Sequence, residues 1–151
     1  MMAQEKIEFN KSIVKNSVFL TIKGKPVKTT NAMSLMFVDQ KYTNEILRDF
    51  QRLLKDEFPN VDDEEYAYLR QCTWNVWFLP DGSYEQKHFK VSQDALELVP
   101  GLEEHLKNLI QRLNTISLRQ EQIEYSDTRN KNNSIGGLVI PFIYLRKVIK
   151  D

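Results

Sequence analysis

Apolar residues along this chain change their spacing several times, and each change marks an element. From Tyr42, the positions Tyr42, Ile46, Phe50, Leu53 and Leu54 recur at three- and four-residue steps, while Arg48, Asp49, Arg52 and Lys55 fall elsewhere. This spacing predicts an amphipathic helix over about 43–57. Thr43 or Asn44 can cap its first amides. Pro59 closes it, because the residue before a proline is pushed out of helical backbone. A second stripe, Leu102, Leu106, Leu109, Ile110 and Leu113, predicts a helix over about 102–115. Glu103 and Glu104 occupy its first turn, where the positive end of the helix favours acids.

Between the two stripes the period drops to two. Cys72, Trp74, Val76 and Phe78 share one face of an extended segment, and Thr73, Asn75 and Trp77 take the other. Pro80-Asp81-Gly82-Ser83 is a strong turn signal, and Tyr84 to Val91 reads as the return strand with Phe89 and Val91 inward. The pattern therefore predicts a central hairpin over about 70–91. A nearly continuous apolar run, Leu138 to Leu145, predicts a terminal strand over about 138–146. Pro141 has no N–H to give to a ladder, so one side of that strand must lie at a sheet edge or a bulge.

Other stretches are less decisive. Residues 1–16 are polar and mixed. Ser17 to Ile22 is rich in β-formers, and Gly24-Lys25-Pro26 followed by Val27 suggests a small hairpin there. The run containing Met33, Leu35, Met36, Phe37 and Val38 suits a strand or a helix equally. Asp62-Asp63-Glu64-Glu65 lacks the spaced oxygens and glycine of a calcium loop; a solvated turn or the acidic first turn of a short helix accounts for it. Asp94 to Val99 reads as a separate short turn, and 117–137 as polar connection. The expected class is α+β: an antiparallel sheet packed on one side by two helices. A single domain spans 1–151, with 1–40 as an N-terminal extension or hairpin.

Composition narrows the function classes. Lysine plus arginine and aspartate plus glutamate each number 21 in 151 residues, so the formal net charge is zero. That balance speaks against a nucleic-acid surface and against a polybasic membrane anchor. No run approaches the roughly 20 apolar residues of a membrane span, so no insertion by this chain is expected. The single cysteine excludes an internal disulfide. Ala3-Gln4 looks like the junction left by removal of a signal peptide; the other reading is an ordinary cytoplasmic N-terminus.

Candidate chemistry is thin. Cys72 with His88 or His105 is the only conceivable nucleophile–base or zinc set, but alternation turns Cys72 inward and the histidines form no close pair. Gly136-Gly137 precedes a strand and so cannot act as a helix-terminal phosphate cradle. No catalytic residue, metal or cofactor is expected, and a non-enzymatic role follows. Trp77, opposite the apolar face, is either covered by the N-terminal segment or a partner-binding aromatic.

From residue 42 onward the order is helix, proline, hairpin with a Pro-Asp-Gly turn, helix, polar loop and apolar terminal strand. Over roughly 100 residues this resembles the C-terminal domain of TonB-type energy transducers, in the divergent form common in Bacteroidetes. The likeness is carried by Val76-Trp77-Phe78-Leu79-Pro80-Asp81-Gly82, the leucine-striped helix, Ile140-Pro141-Phe142 and the Phe58-Pro59 step. The family's membrane helix, proline-rich spacer and small-residue step after the second helix are not visible here. The resemblance implies a TonB C-terminal-like core over 41–151 in an exported, periplasmic or secreted interaction domain. Such a domain binds an extended protein segment, such as part of an outer-membrane receptor, by edge-strand pairing. Val139, Pro141, Ile143 and Trp77 would then border the contact. The alternative is a cytosolic or phage-encoded structural protein that forms homo-oligomers through its exposed strands.

Overall fold

The computed structural model describes residues 6–25, 35–126 and 134–150. The architecture is α+β: a five-stranded antiparallel sheet, a two-stranded sheet and four α-helices among the described residues. The large sheet has the order β1-β2-β5-β4-β7. Its strands are β1 (Phe9–Val14), β2 (Ser17–Ile22), β4 (Thr73–Phe78), β5 (Tyr84–Ser92) and β7 (Gly136–Pro141). The small sheet pairs β3 (Leu35–Phe37) with β6 (Ile123–Tyr125). The helices are α1 (Gln40–Glu57), α2 (Asp63–Leu69), α3 (Gln93–Leu98) and α4 (Leu102–Gln111).

The central hairpin forms where alternation and turn chemistry place it. Asp81 Oδ1 accepts from the Ser83 N–H at 2.9 Å and from its hydroxyl at 2.6 Å, closing the turn. Those two bonds hold the Asp81 carboxyl below its ordinary pKa. Gly82, at φ +88°, takes the left-handed step and accepts at its carbonyl from the Leu118 N–H at 2.7 Å.

α1 and α4 bury their apolar stripes against one face of the sheet. Phe50 from α1 meets Trp74 and Tyr84 edge-on at 5.1 and 5.0 Å between centroids. Trp74 stacks on Phe89, and Phe89 in turn touches Phe142. Leu106 and Leu109 of α4 are fully enclosed. Glu57 joins the two helices: its Oε1 lies 2.8 Å from His105 Nδ1 and accepts from Asn108 Nδ2 at 2.9 Å. Burial of this continuous apolar layer is the main favourable term in folding.

Several expectations need correction. The N-terminal hairpin runs from Phe9 to Ile22, with Lys15-Asn16 as its tip and Lys15 at φ 58°. The return segment expected from Val27 lies outside the described residues, as do Met33 and Asn130 to Asn133. The cap of α1 is Asp39, whose Oδ1 accepts from the Tyr42 N–H at 3.3 Å, four and five residues upstream of the expected Thr43 and Asn44. The 102–115 helix divides into α4 and a 3-10 turn, Leu113–Thr115. The terminal strand stops at Pro141, and Phe142–Leu145 forms a 3-10 turn that buries Phe142 and Leu145. Their three-residue spacing is that of one 3-10 face. Finally, the polar connection after Ile116 contains β6.

Candidate functional site

β7 lies at the end of the sheet, paired with β4 on one flank; on the other, the Leu35 N–H of β3 donates to the Ile135 carbonyl at 3.3 Å just before the strand, and no described strand pairs with Gly136–Pro141 itself. The Phe142 N–H donates to the Cys72 carbonyl at 3.0 Å, which fixes the phase of the ladder. Counting back in steps of two, Ile140 and Leu138 turn their main-chain groups toward Trp74 and Val76. Gly137, Val139 and Pro141 turn theirs outward. The outer rim thus offers an N–H and a C=O at Gly137, the same pair at Val139, and a C=O alone at Pro141. The proline sits where its missing N–H costs the sheet no bond.

The side chains along this border differ from those on the opposite edge. β7 carries no charge in Gly-Gly-Leu-Val-Ile-Pro. β1, the other edge, includes Lys11, which pairs with Glu103 at 3.1 Å. Charged edge residues discourage strand addition, so β7 is the less protected of the two. Val139 points to the face away from the helices and is 53 % exposed. Its cross-strand neighbour is Asn75, and Pro141 faces Thr73.

Trp77 shares this face, directly across from Gly137. The N-terminal hairpin does not adjoin it in the sheet, because β5 intervenes between β2 and β4. The indole is half-buried and lies beneath the Lys87 ammonium, 4.4 Å from the ring centroid. Gly137 itself places no side chain between the rim and the indole. Sequence inspection missed this role of Gly137; the signal lay in the register, which pairs the sheet's outer tryptophan with a glycine of the edge strand.

Val139 and Pro141 therefore share the outer rim, with Trp77 on the same face further along β4, and Ile143 is not part of it. Ile143 sits in the 3-10 turn beyond the strand. Its carbonyl accepts from the Tyr66 hydroxyl at 3.2 Å and from the Lys147 N–H at 2.9 Å, which ties α2 to the chain end.

Cys72 and His88 fall on opposite faces of the sheet. Cys72 is enclosed, and burial pushes its thiol up to about 11. His88 lies against Phe19, with centroids 5.4 Å apart, and burial together with Lys87 and Lys90 holds its pKa below the ordinary value. Among the described residues, no group of three His, Cys, Asp or Glu is placed to hold a metal ion, and no helix is long and apolar enough to cross a membrane.

No protein-family model, curated protein or solved structure matches this chain.

Proposed function

We propose that this chain is a non-enzymatic interaction domain of the cell envelope that takes up an extended protein segment along the outer rim of β7, in the manner of TonB C-terminal domains. The observation that carries the reading is the uncharged rim itself, with outward main-chain groups at Gly137 and Val139 and a half-buried Trp77 beside Gly137. Main-chain bonds to such a rim give affinity, and side chains at alternate positions give selectivity. A segment added here places one side chain over Gly137 and against the indole, so an apolar or aromatic residue at that step suits the site. The family likeness supplies the compartment, the periplasm, and the partner class, an outer-membrane receptor segment.

The test is an amide spectrum of the isotope-labelled chain titrated with extended peptides from outer-membrane receptors. Shifts concentrated at Gly137, Val139 and the Trp77 indole support the reading; shifts scattered over the helices refute it. Val139→Pro removes one outward N–H without touching a bond to β4, and should weaken such a peptide about tenfold. Sedimentation at several concentrations tests the rival, because a receptor-binding domain stays monomeric whereas rim-to-rim pairing of copies gives a closed dimer.

A further inference from the structure

The five-stranded sheet parts along one seam. β2 pairs with β5 only from Ser17↔Ser92 to Leu20↔Phe89. Beyond that point Lys87 is an extra residue on β5, since Asn75 faces His88 while Val76 faces Gln86. Such a bulge bends its strand and can end regular pairing. A cleft of about 840 Å³ opens here between the end of β2, the Asp81–Gln86 segment and the stretch from α4 to Ser117.

Two walls of the cleft are strand flanks. Val76 turns its main-chain groups toward β7, so Trp77 turns its own toward β5. Glu85, opposite Trp77, bonds back to β4, which leaves the main-chain groups of Tyr84 and Gln86 facing the cleft. On the other flank the Lys23 N–H donates to the Glu8 carbonyl at 2.8 Å, so Ile22 beside it turns away from β1. The Ile22 carbonyl accepts from the Lys25 N–H at 3.3 Å, and its N–H faces the cleft. No described strand pairs with Tyr84, Gln86 or Ile22 on these sides. The third wall supplies apolar side chains from Ile110, Leu113 and Ile116. Lys6 and Lys23 each lie 3.9 Å from Glu8, and Asp81 is engaged with Ser83, so Lys25 and Glu85 leave one charge of each sign. Main-chain donors and acceptors beside an apolar wall complement an extended peptide, which is polar along its backbone and apolar at alternate side chains.

We infer that this seam takes up a short, uncharged, extended peptide as an inserted strand, bonded to Tyr84 and Gln86 on one side and to Ile22 on the other, with alternate apolar side chains against Ile110 and Ile116. The seam is separate from the β7 rim: β5 and β4 lie between them, so either can fail alone. The experiment titrates the labelled full chain with acetyl-Thr-Val-Thr-Val-Thr-amide and reads amide hydrogen exchange with and without it. In the free chain the Tyr84 and Gln86 amides should exchange fast and the Glu85 amide slowly. The peptide should bind in a saturable way, slow the first two and leave the Gly137 and Val139 signals still. Methylating both valine nitrogens of the peptide blocks its bonds toward β5 and should weaken it about tenfold or more. Ile116→Asp should weaken it to a similar degree, with unchanged tryptophan fluorescence showing that the variant is folded. Protection of Tyr84 and Gln86 already in the free chain would mean that the chain itself fills the seam. That result, absence of saturation, equal affinity of the methylated peptide, or shifts confined to the β7 rim would each overturn the inference.

Discussion

Gly82 and Gly24 allow one steric contact to be weighed against a matched control. Both hold nearly the same left-handed backbone, at φ +88° and +86°. An added Cβ at Gly24 meets nothing within 4 Å, whereas at Gly82 it lies 2.5 Å from the Leu118 carbonyl oxygen. Gly24→Ala therefore incurs only the conformational penalty, about 1–2 kcal/mol. Gly82→Ala adds a clash with main chain that cannot rotate away, about 1–3 kcal/mol more. It also disturbs the Leu118 N–H bond to Gly82, so the sum is about 2–5 kcal/mol. For a chain of this size each kcal/mol lowers Tm by roughly 2–4 °C. Denaturant unfolding of both variants, read by tryptophan fluorescence and by circular dichroism, gives the difference directly. Equal destabilisation by the two substitutions would refute the claim that the central turn is braced on the segment at Leu118.

Further outcomes follow from the core and the titrating groups. Phe50→Ala removes a fully buried ring from its contacts with Trp74 and Tyr84, and should cost about 3–5 kcal/mol in denaturant unfolding. The His88 ring signals should titrate below 6.5. The unfolded chain then takes up that proton first, so the associated stability is intact above the ordinary histidine pKa and fades as pH falls through the folded value. His88→Gln should flatten this part of the acid limb; an unchanged slope would contradict it. Cys72 should react with iodoacetamide at pH 8 about a hundredfold or more slowly in the native chain than in denaturant, through its raised pKa and its enclosure. Comparable rates would contradict the packing of β4.

The central hairpin, α1 and α4 are legible in the sequence because each buries one face, and burial imprints its period on the residues. The edge position of β7 is legible for another reason: a proline in an apolar strand must direct its absent donor away from the ladder. β1 leaves no such mark, since an edge strand exposed along most of its length has no buried alternation to display. The three-residue strands β3 and β6 are too short to show a period, and their pairing spans the chain from Leu35 to Tyr125. The bulge at Lys87 hides from pattern reading because it changes phase within a strand. Strict alternation groups Gln86 with His88, yet the structure turns Gln86 toward Trp74 and His88 toward Phe19. Trp77 was identifiable as an outward aromatic, but its glycine neighbour depended on the long-range register with β7.

Residue-resolved amide hydrogen exchange across β7 addresses the open rim most directly. The amides of Leu138 and Ile140, turned toward β4, should be strongly protected, while those of Gly137 and Val139 should exchange at nearly the rate of free backbone. Uniform protection of all four would mean that the rim is already occupied, and recognition by strand addition at this edge could not stand.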